Sequence, residues 1–388
     1  NHPYYCGYYA LDITNTNSPK FMWHIGGKTG SAIDSTNAPY LGEPYGEMIT
    51  GRVLINNQEV WVGLIGGGYN GNSCAVGSVC GTSCSDCRGK GFFVISLSTG
   101  QILWSYTLSG TPGSQNLQYA IPATAQGIDT DNDGFMDVAY VGDWGGNVWR
   151  FTFCTAAQAA QPSGCNTSNW AGSLLFNGST VPSADQSPIY TAPAVAMDGA
   201  GNRWVYWGTG DVENPTVTSG ANSQGMLFAL KDKDLTSTYY IGNMQNISAN
   251  TATFNNSLAG QNAGYYIILP NAGEKILGSP VVFNDYVYFT SYVPTGTICD
   301  QTGSALLYSI EYISGAGNFG GSRSMNVGTG IPSAPVISQR PGGGGYDLYV
   351  STSGSGGQGS QGSQIGRPFQ PTGPWGTQMI YWKDQRVQ

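Results

Sequence analysis

Five times along the chain the same short grammar returns. A small or turn residue and a proline lead into a short apolar strand, a hairpin follows, and then a second strand rich in valine and tyrosine. The segments are EPYGEMITGRVLINNQEVWVGLIGGG from Glu43, IPATAQGIDTDNDGFMDVAYVGD from Ile121, APAVAMDGAGNRWVYWGTGD from Ala192, SPVVFNDYVYFTSY from Ser279 and APVISQRPGGGGYDLYVSTS from Ala334. A proline at the start of an opening strand is tolerated, because there its missing N–H breaks few ladder bonds. Third strands follow several of these units, as in GNVWRFTF at 146–153 and GMLFALKD at 225–232. Repeats of three or four short antiparallel strands in a fixed order describe the blades of a β-propeller.

Two further hairpins fit the scheme, GFFVISLSTGQILWSYTL at 91–108 and YYALDITNTNSPKFMW at 8–23. Pro44, Pro122, Pro193, Pro280 and Pro335 mark five blade openings at irregular spacing, so long insertions are expected at 155–186, 213–224, 233–275 and 353–375. The last is a low-complexity Gly/Ser/Gln tract expected to be flexible. The strand at 378–383 and the N-terminal hairpin are expected to close the ring from both chain ends. The expectation is an all-β fold, a modified β-propeller of about seven blades with at least six visible, occupying residues 1–388 as a single domain.

Composition narrows the function. Glycine takes 58 of 388 positions and aromatic residues 12%, while charged residues are only 10%, against about 25% in an ordinary domain. Such a chain is neither disordered nor collagenous. With 15 Lys+Arg against 23 Asp+Glu, it lacks the basic character of a nucleic-acid binder. No apolar run reaches the length of a transmembrane segment and no signal peptide is present, so Asn1 is expected to begin a processed chain or a fragment. His2 and His24 are the only histidines, which leaves little material for imidazole catalysis. Asp143, Asp211 and Glu213 fall at strand ends, where no catalytic partner can be assigned to them. Trp104, Trp149 and Trp207 fall at strand positions and read as packing residues. The run Gly66–Gly68 opens no helix and does not read as a phosphate loop.

Eight cysteines, an even number, suit an exported protein with disulfides. Cys154 and Cys165 bracket a short polar segment that a disulfide would staple. Cys74, Cys80, Cys84 and Cys87 crowd one Gly/Ser-rich stretch, and two local disulfides are expected there. Their spacing does not give the pair of close knuckles of a four-thiolate zinc site. Cys6 and Cys299 lie near the two ends.

One segment carries definite chemistry. Asp129 to Asp137 reads D-T-D-N-D-G-F-M-D. Carboxylates at positions 1, 3 and 5 alternate on a tight loop, Gly134 supplies the sharp turn at position 6, and the Phe135 carbonyl at position 7 is free to point inward. Asp137 adds a carboxylate at position 9. This is the hard-oxygen logic of an EF-hand calcium loop, although position 12 is Tyr140, so Asp137 takes the closing role. The loop lies in a hairpin between first and second strands, where other repeats carry Asp198–Arg203 or Asn284–Asp285. One calcium ion is expected, held by Asp129, Asp131, Asp133, Asp137 and the Phe135 carbonyl. The pattern leaves open whether that ion is a structural staple or an occupancy-dependent switch.

The loop followed by VAYVGDWGGNVWRF (138–151), together with YYALDITNTNSPKFMW near the start, GLIGGGYNG at 63–71 and MIYWKDQRV at the end, resembles the PilY family of type IV pilus tip-associated adhesins and biogenesis factors. The resemblance is to the family's C-terminal domain, a modified seven-bladed propeller with an inserted calcium loop. It implies a non-enzymatic, exported protein at the pilus tip and cell surface, periplasmic in transit. Calcium occupancy would govern pilus extension against retraction, and so twitching motility and surface adhesion. It implies minor pilins and the pilus tip complex as partners, and a host or abiotic surface ligand. The family's variable N-terminal region, often a von Willebrand A-like domain, has no counterpart in these 388 residues, and no Arg-Gly-Asp tripeptide occurs. Two alternatives are weighed against this reading. ISLSTGQILW resembles the tryptophan repeats of quinoprotein dehydrogenases of the PQQ type, whose calcium sits beside the cofactor rather than in a contiguous hairpin loop. A lectin-like glycan-binding propeller is suggested only by the aromatic residues and long loops.

Overall fold

The computed structural model describes residues 7–26, 31–75, 77–108, 117–160, 164–183, 185–295, 302–339, 345–354 and 367–369. Cys6, Cys299, most of the 353–375 tract and the segment at 378–383 lie outside these residues. The chain divides into two compact units, Asn1–Leu175 and Phe176–Gln388.

The first unit holds three sheets. β1 (Gly7–Asp12) and β2 (Lys20–Gly26) form an antiparallel ribbon. β3 (Ile49–Ile55), β4 (Gln58–Gly67), β5 (Gly89–Ser96) and β6 (Ile102–Thr107) form a four-stranded meander. β7 (Gln126–Ile128), β8 (Val138–Gly142), β9 (Val148–Thr152) and β10 (Ala171–Phe176) form another. A short helix, α1 (Ala156–Ala159), interrupts the connection between β9 and β10. The second unit holds a five-stranded sheet of β11 (Ala194–Met197), β12 (Arg203–Gly208), β13 (Met226–Asp232), β14 (Met244–Asn246) and β15 (Gly264–Ile268), in which only β14 and β15 pair in parallel. It is followed by β16 (Val281–Phe283), β17 (Tyr286–Val293), β18 (Ser304–Glu311) and β19 (Ser324–Thr329), then by β20 (Val336–Gln339), β21 (Tyr346–Tyr349) and β22 (Arg367–Phe369).

Each of the five prolines of the sequence repeat precedes the first strand of a sheet, so the grammar marks blade openings as expected. Six sheets are present among the described residues. Tight turns close the first hairpins. Asn56 and Asn57, and likewise Asn284 and Asp285, adopt positive φ, the left-handed backbone that asparagine and aspartate tolerate best and that matches the twist of paired strands.

Several inner strands of the sheets are buried on both faces. β5, β8 and β13 are buried along their whole length, so their sequences are mostly apolar and do not alternate with polar residues. Phe92 of β5 stacks on Phe151 of β9 with ring centroids 3.9 Å apart, a contact worth about 0.5–1.5 kcal/mol beyond the area it buries. In the second unit Trp204, Tyr206, Tyr265, Phe289 and Tyr308 share one apolar cluster. Trp149 and Trp207 are buried as expected, whereas Trp104 is half-buried against Trp170 and Phe153. The disulfides join Cys154 to Cys165, Cys74 to Cys84 and Cys80 to Cys87, so the four-cysteine cluster does hold two local bridges.

One buried cation organises part of the second unit with no carboxylate partner among the described residues. Arg323, at the edge of β19, donates to the carbonyls of Gly315, Ile247, Ser248, Ala249 and Ala252. It is only 3% exposed. Replacing it removes the donors for several buried acceptors at once. Arg323→Met is therefore expected to destabilise the protein by about 3 kcal/mol or more. Thermal unfolding checks this, and a Tm within a degree of wild type would refute it.

Candidate metal centre

The loop from Asp129 to Asp137 joins β7 to β8, whose ends pair at Ile128 and Val138. The Asp137 N–H donates to the Ile128 carbonyl at 2.9 Å, closing the loop at its neck. Within it the carboxylates organise the backbone. Asp129 accepts from the N–H groups of Asn132 at 2.6 Å and Gly134 at 2.7 Å, and from Asp131 at 3.3 Å. Asp131 accepts from Asp133 N–H at 3.2 Å, and Asp133 from Phe135 N–H at 2.9 Å. The turns this requires put Asn132 at φ 63° and Gly134 at φ 90°, where glycine alone carries no Cβ penalty.

Carboxylate oxygens of Asp129, Asp131 and Asp137 lie within 4.8 Å of one another. Asp137 is fully buried. Its Oδ2 accepts from Thr130 N–H at 2.7 Å and Thr130 Oγ1 at 2.6 Å. Its Oδ1 is buried and has no hydrogen-bond donor. A buried anionic oxygen without a donor is costly, and two further carboxylates beside it compound the repulsion. A hard cation answers both defects, and the donor set is all oxygen. The residues present fit a divalent ion.

The electrostatics follow from burial. Burial pushes the Asp137 carboxyl up to about 6, with the charges of Asp131 and Asp133 adding to the shift and the Thr130 donors opposing it. Burial likewise raises Asp133, helped by Asp131 and Asp129.

Three of the four predicted carboxylates are therefore gathered. Asp133 is exposed and stands outside the group of three, its Oδ1 engaged with the Phe135 N–H. Phe135 is half-buried, and its ring lies 5.1 Å from the Arg52 guanidinium. Arg52 comes from β3, and its carbonyl accepts from Met136 N–H at 2.7 Å. Tyr140, at position 12, is buried within β8 opposite Gln126, which removes it from the loop.

The family model of the PilY1 beta-propeller domain matches residues 5–262. The chain belongs to this family. A type IV pilus biogenesis factor PilY1 homolog of Xylella fastidiosa strain Temecula1 is 24% identical over 380 residues, covering 85% of this chain and 23% of that protein. The type IV pilus biogenesis factor PilY1 of Pseudomonas aeruginosa strain PAO1 is 31% identical over 145 residues, or 37% of this chain and 10% of that protein. The chain thus matches only about a quarter or less of the length of these relatives. In fold it is similar to the crystal structure of the Pseudomonas aeruginosa PilY1 C-terminal domain, with a TM-score of 0.62 at 18% identity, covering 90% of this chain and 77% of that one. No helix among the described residues is long and apolar enough to cross a membrane.

Two features of this PilY1-type propeller escape a reading by motif. Thr130, at loop position 2, holds Asp137 in place, and Arg52 reaches the loop from another sheet, which no local spacing reveals. Asp143, at the far end of β8, also has a definite role. Its Oδ1 accepts from the N–H groups of Gly145 and Asn147 at 2.8 and 3.0 Å, and its Oδ2 from Asn147 Nδ2 and Trp149 Nε1, both at 2.8 Å. Asp198 repeats the arrangement with Ala200, Asn202 and Trp204 at 2.8–3.0 Å. The shared pattern D-x-x-G-N-x-W, at 143–149 and 198–204, is visible in the sequence once the clasp is known.

Proposed function

We propose that this chain is the calcium-binding propeller of a type IV pilus biogenesis factor, non-enzymatic and exported to the pilus tip. The carrying observation is the donorless, buried Oδ1 of Asp137 facing a loop with two other carboxylates. Asp129, Asp131 and Asp137 hold one calcium ion, and Asp133 and the Phe135 carbonyl complete the set. The ion supplies charge neutralisation, while the chain's own residues supply shape: Thr130 fixes Asp137 and Gly134 permits the turn. Arg52 ties the loop to β3 through Phe135. Filling the site orders the loop face that meets minor pilins or a surface ligand, favouring extension and adhesion, and emptying it favours retraction and alters twitching motility.

Calorimetric calcium titration tests the site. Wild type is expected to bind one ion with a Kd on the order of 10⁻⁷–10⁻⁵ M, the range of sites that fill and empty. Asp129→Ala should abolish the signal, and Asp133→Ala, which removes a peripheral carboxylate, should weaken it by about tenfold. No heat of binding from wild type would remove the metal from this reading. Much tighter binding would make the ion a permanent staple.

A further inference from the structure

Away from the loop, in the second unit, a lysine and an asparagine are pressed together. Lys231 of β13 is 3% exposed and sits directly across the strand pair from Trp204 of β12. Its Nζ lies 5.4 Å from the Trp204 ring and 5.1 Å from that of Phe254, and these two rings meet edge to face. The amine therefore enters an aromatic cleft, where it donates to Oδ1 of Asn256. No carboxylate pairs with it among the described residues.

Asn256 is held there by its neighbour. Gln245 accepts from Asn255 N–H at 2.9 Å and donates to the Asn255 carbonyl at 2.6 Å and to that of Gln261 at 2.8 Å. Asp198 fixes the other wall by accepting from Trp204 Nε1. Nucleophile and carbonyl are thus both positioned before any reaction, which replaces a bimolecular encounter with an intramolecular one. Burial, with the charge of Lys233 adding to it, lowers the Lys231 amine to about 8, so a useful fraction is neutral and nucleophilic near neutral pH.

We propose that Lys231 and Asn256 form an intramolecular amide bond after folding. The neutral Nζ attacks Cγ of Asn256, a new Nζ–Cγ bond forms, and the Cγ–Nδ2 bond breaks. One proton passes from Nζ to the departing nitrogen, which leaves as ammonia. No oxidant or co-reactant is consumed. Asn256 is exposed, so ammonia leaves to solvent while the amine stays screened by the rings. The product ties β13 covalently to the 247–263 loop.

Mass spectrometry of the fully reduced protein tests the bond directly. Wild type is expected to be lighter than its sequence mass by one ammonia. Its tryptic digest should contain no cleavage after Lys231 and a branched peptide joining that residue to the one carrying Asn256. Lys231→Arg and Asn256→Ala should each return to sequence mass. A wild-type protein at sequence mass, cleaved after Lys231, would show a hydrogen bond only and overturn the proposal. So would loss of ammonia without the branched peptide, which would mark a succinimide elsewhere in the chain.

Discussion

Asp137→Asn is expected to make the protein more stable without calcium and less stable with it. The native carboxylate is fully buried, with one oxygen satisfied by Thr130 and the other without a donor. Removing the charge relieves an uncompensated anion beside two others, worth about 1–3 kcal/mol. In a unit of this size that raises Tm by roughly 2–4 °C per kcal/mol. With calcium present the wild type gains binding energy that the variant lacks, since a neutral amide replaces the most buried carboxylate of the site. Its affinity should fall by about two orders of magnitude, which is close to 3 kcal/mol. Melting curves of both proteins in chelator and in excess calcium therefore cross over. Parallel curves, with wild type higher in both conditions, would show that the Asp137 environment is already satisfied and needs no ion.

Asp143→Ala should be the more damaging of the two clasp substitutions, costing about 4 kcal/mol against about 2 for Asp198→Ala. Both carboxylates hold two backbone amides, an asparagine amide and an indole N–H. Asp143 is fully buried, so its donors find no water when it is lost, whereas Asp198 is half-buried. Burial also pushes the Asp143 carboxyl up to about 6 from its ordinary 3.8. The native state then binds the proton more tightly than the unfolded chain. Its contribution is fully present below about pH 4, declines as pH rises through 6, and is flat above. The stability gap between wild type and Asp143→Ala should accordingly narrow by about 2 kcal/mol from pH 4 to pH 6. Denaturant titrations across that range measure it, and a gap that widens with pH would reverse the sign.

The architecture was legible where it rests on local signals. The prolines at 44, 122, 193, 280 and 335 each open a sheet, and the pairs Asn56-Asn57 and Asn284-Asp285 carry the positive φ that closes a hairpin. The position of the acidic loop, between first and second strands, is implied by the order of strands in the repeats. What depended on distant partners was not legible. The parallel pairing of β14 with β15 inside the 233–275 insertion is one case. The carbonyl cage around Arg323 is another, because its acceptors lie up to 76 residues away. In the loop itself, the spacing suggests that all four carboxylates turn inward, with Asp137 in the closing role. The backbone distinguishes them, drawing Asp137 inward with the start of β8 and leaving Asp133 outside on the turn.

The two disulfides of the 74–87 segment have a topological consequence. Cys80 lies inside the ring closed by Cys74 and Cys84, and Cys84 lies inside the ring closed by Cys80 and Cys87. The rings interlock along the chain. A protease that cuts any single peptide bond between Cys74 and Cys87 therefore leaves both new ends attached through at least one bridge. Much of this loop is exposed, so it is open to attack, yet one cut cannot release the strands on either side of it. The segment can therefore be nicked once while the chain on either side of it remains one covalent piece.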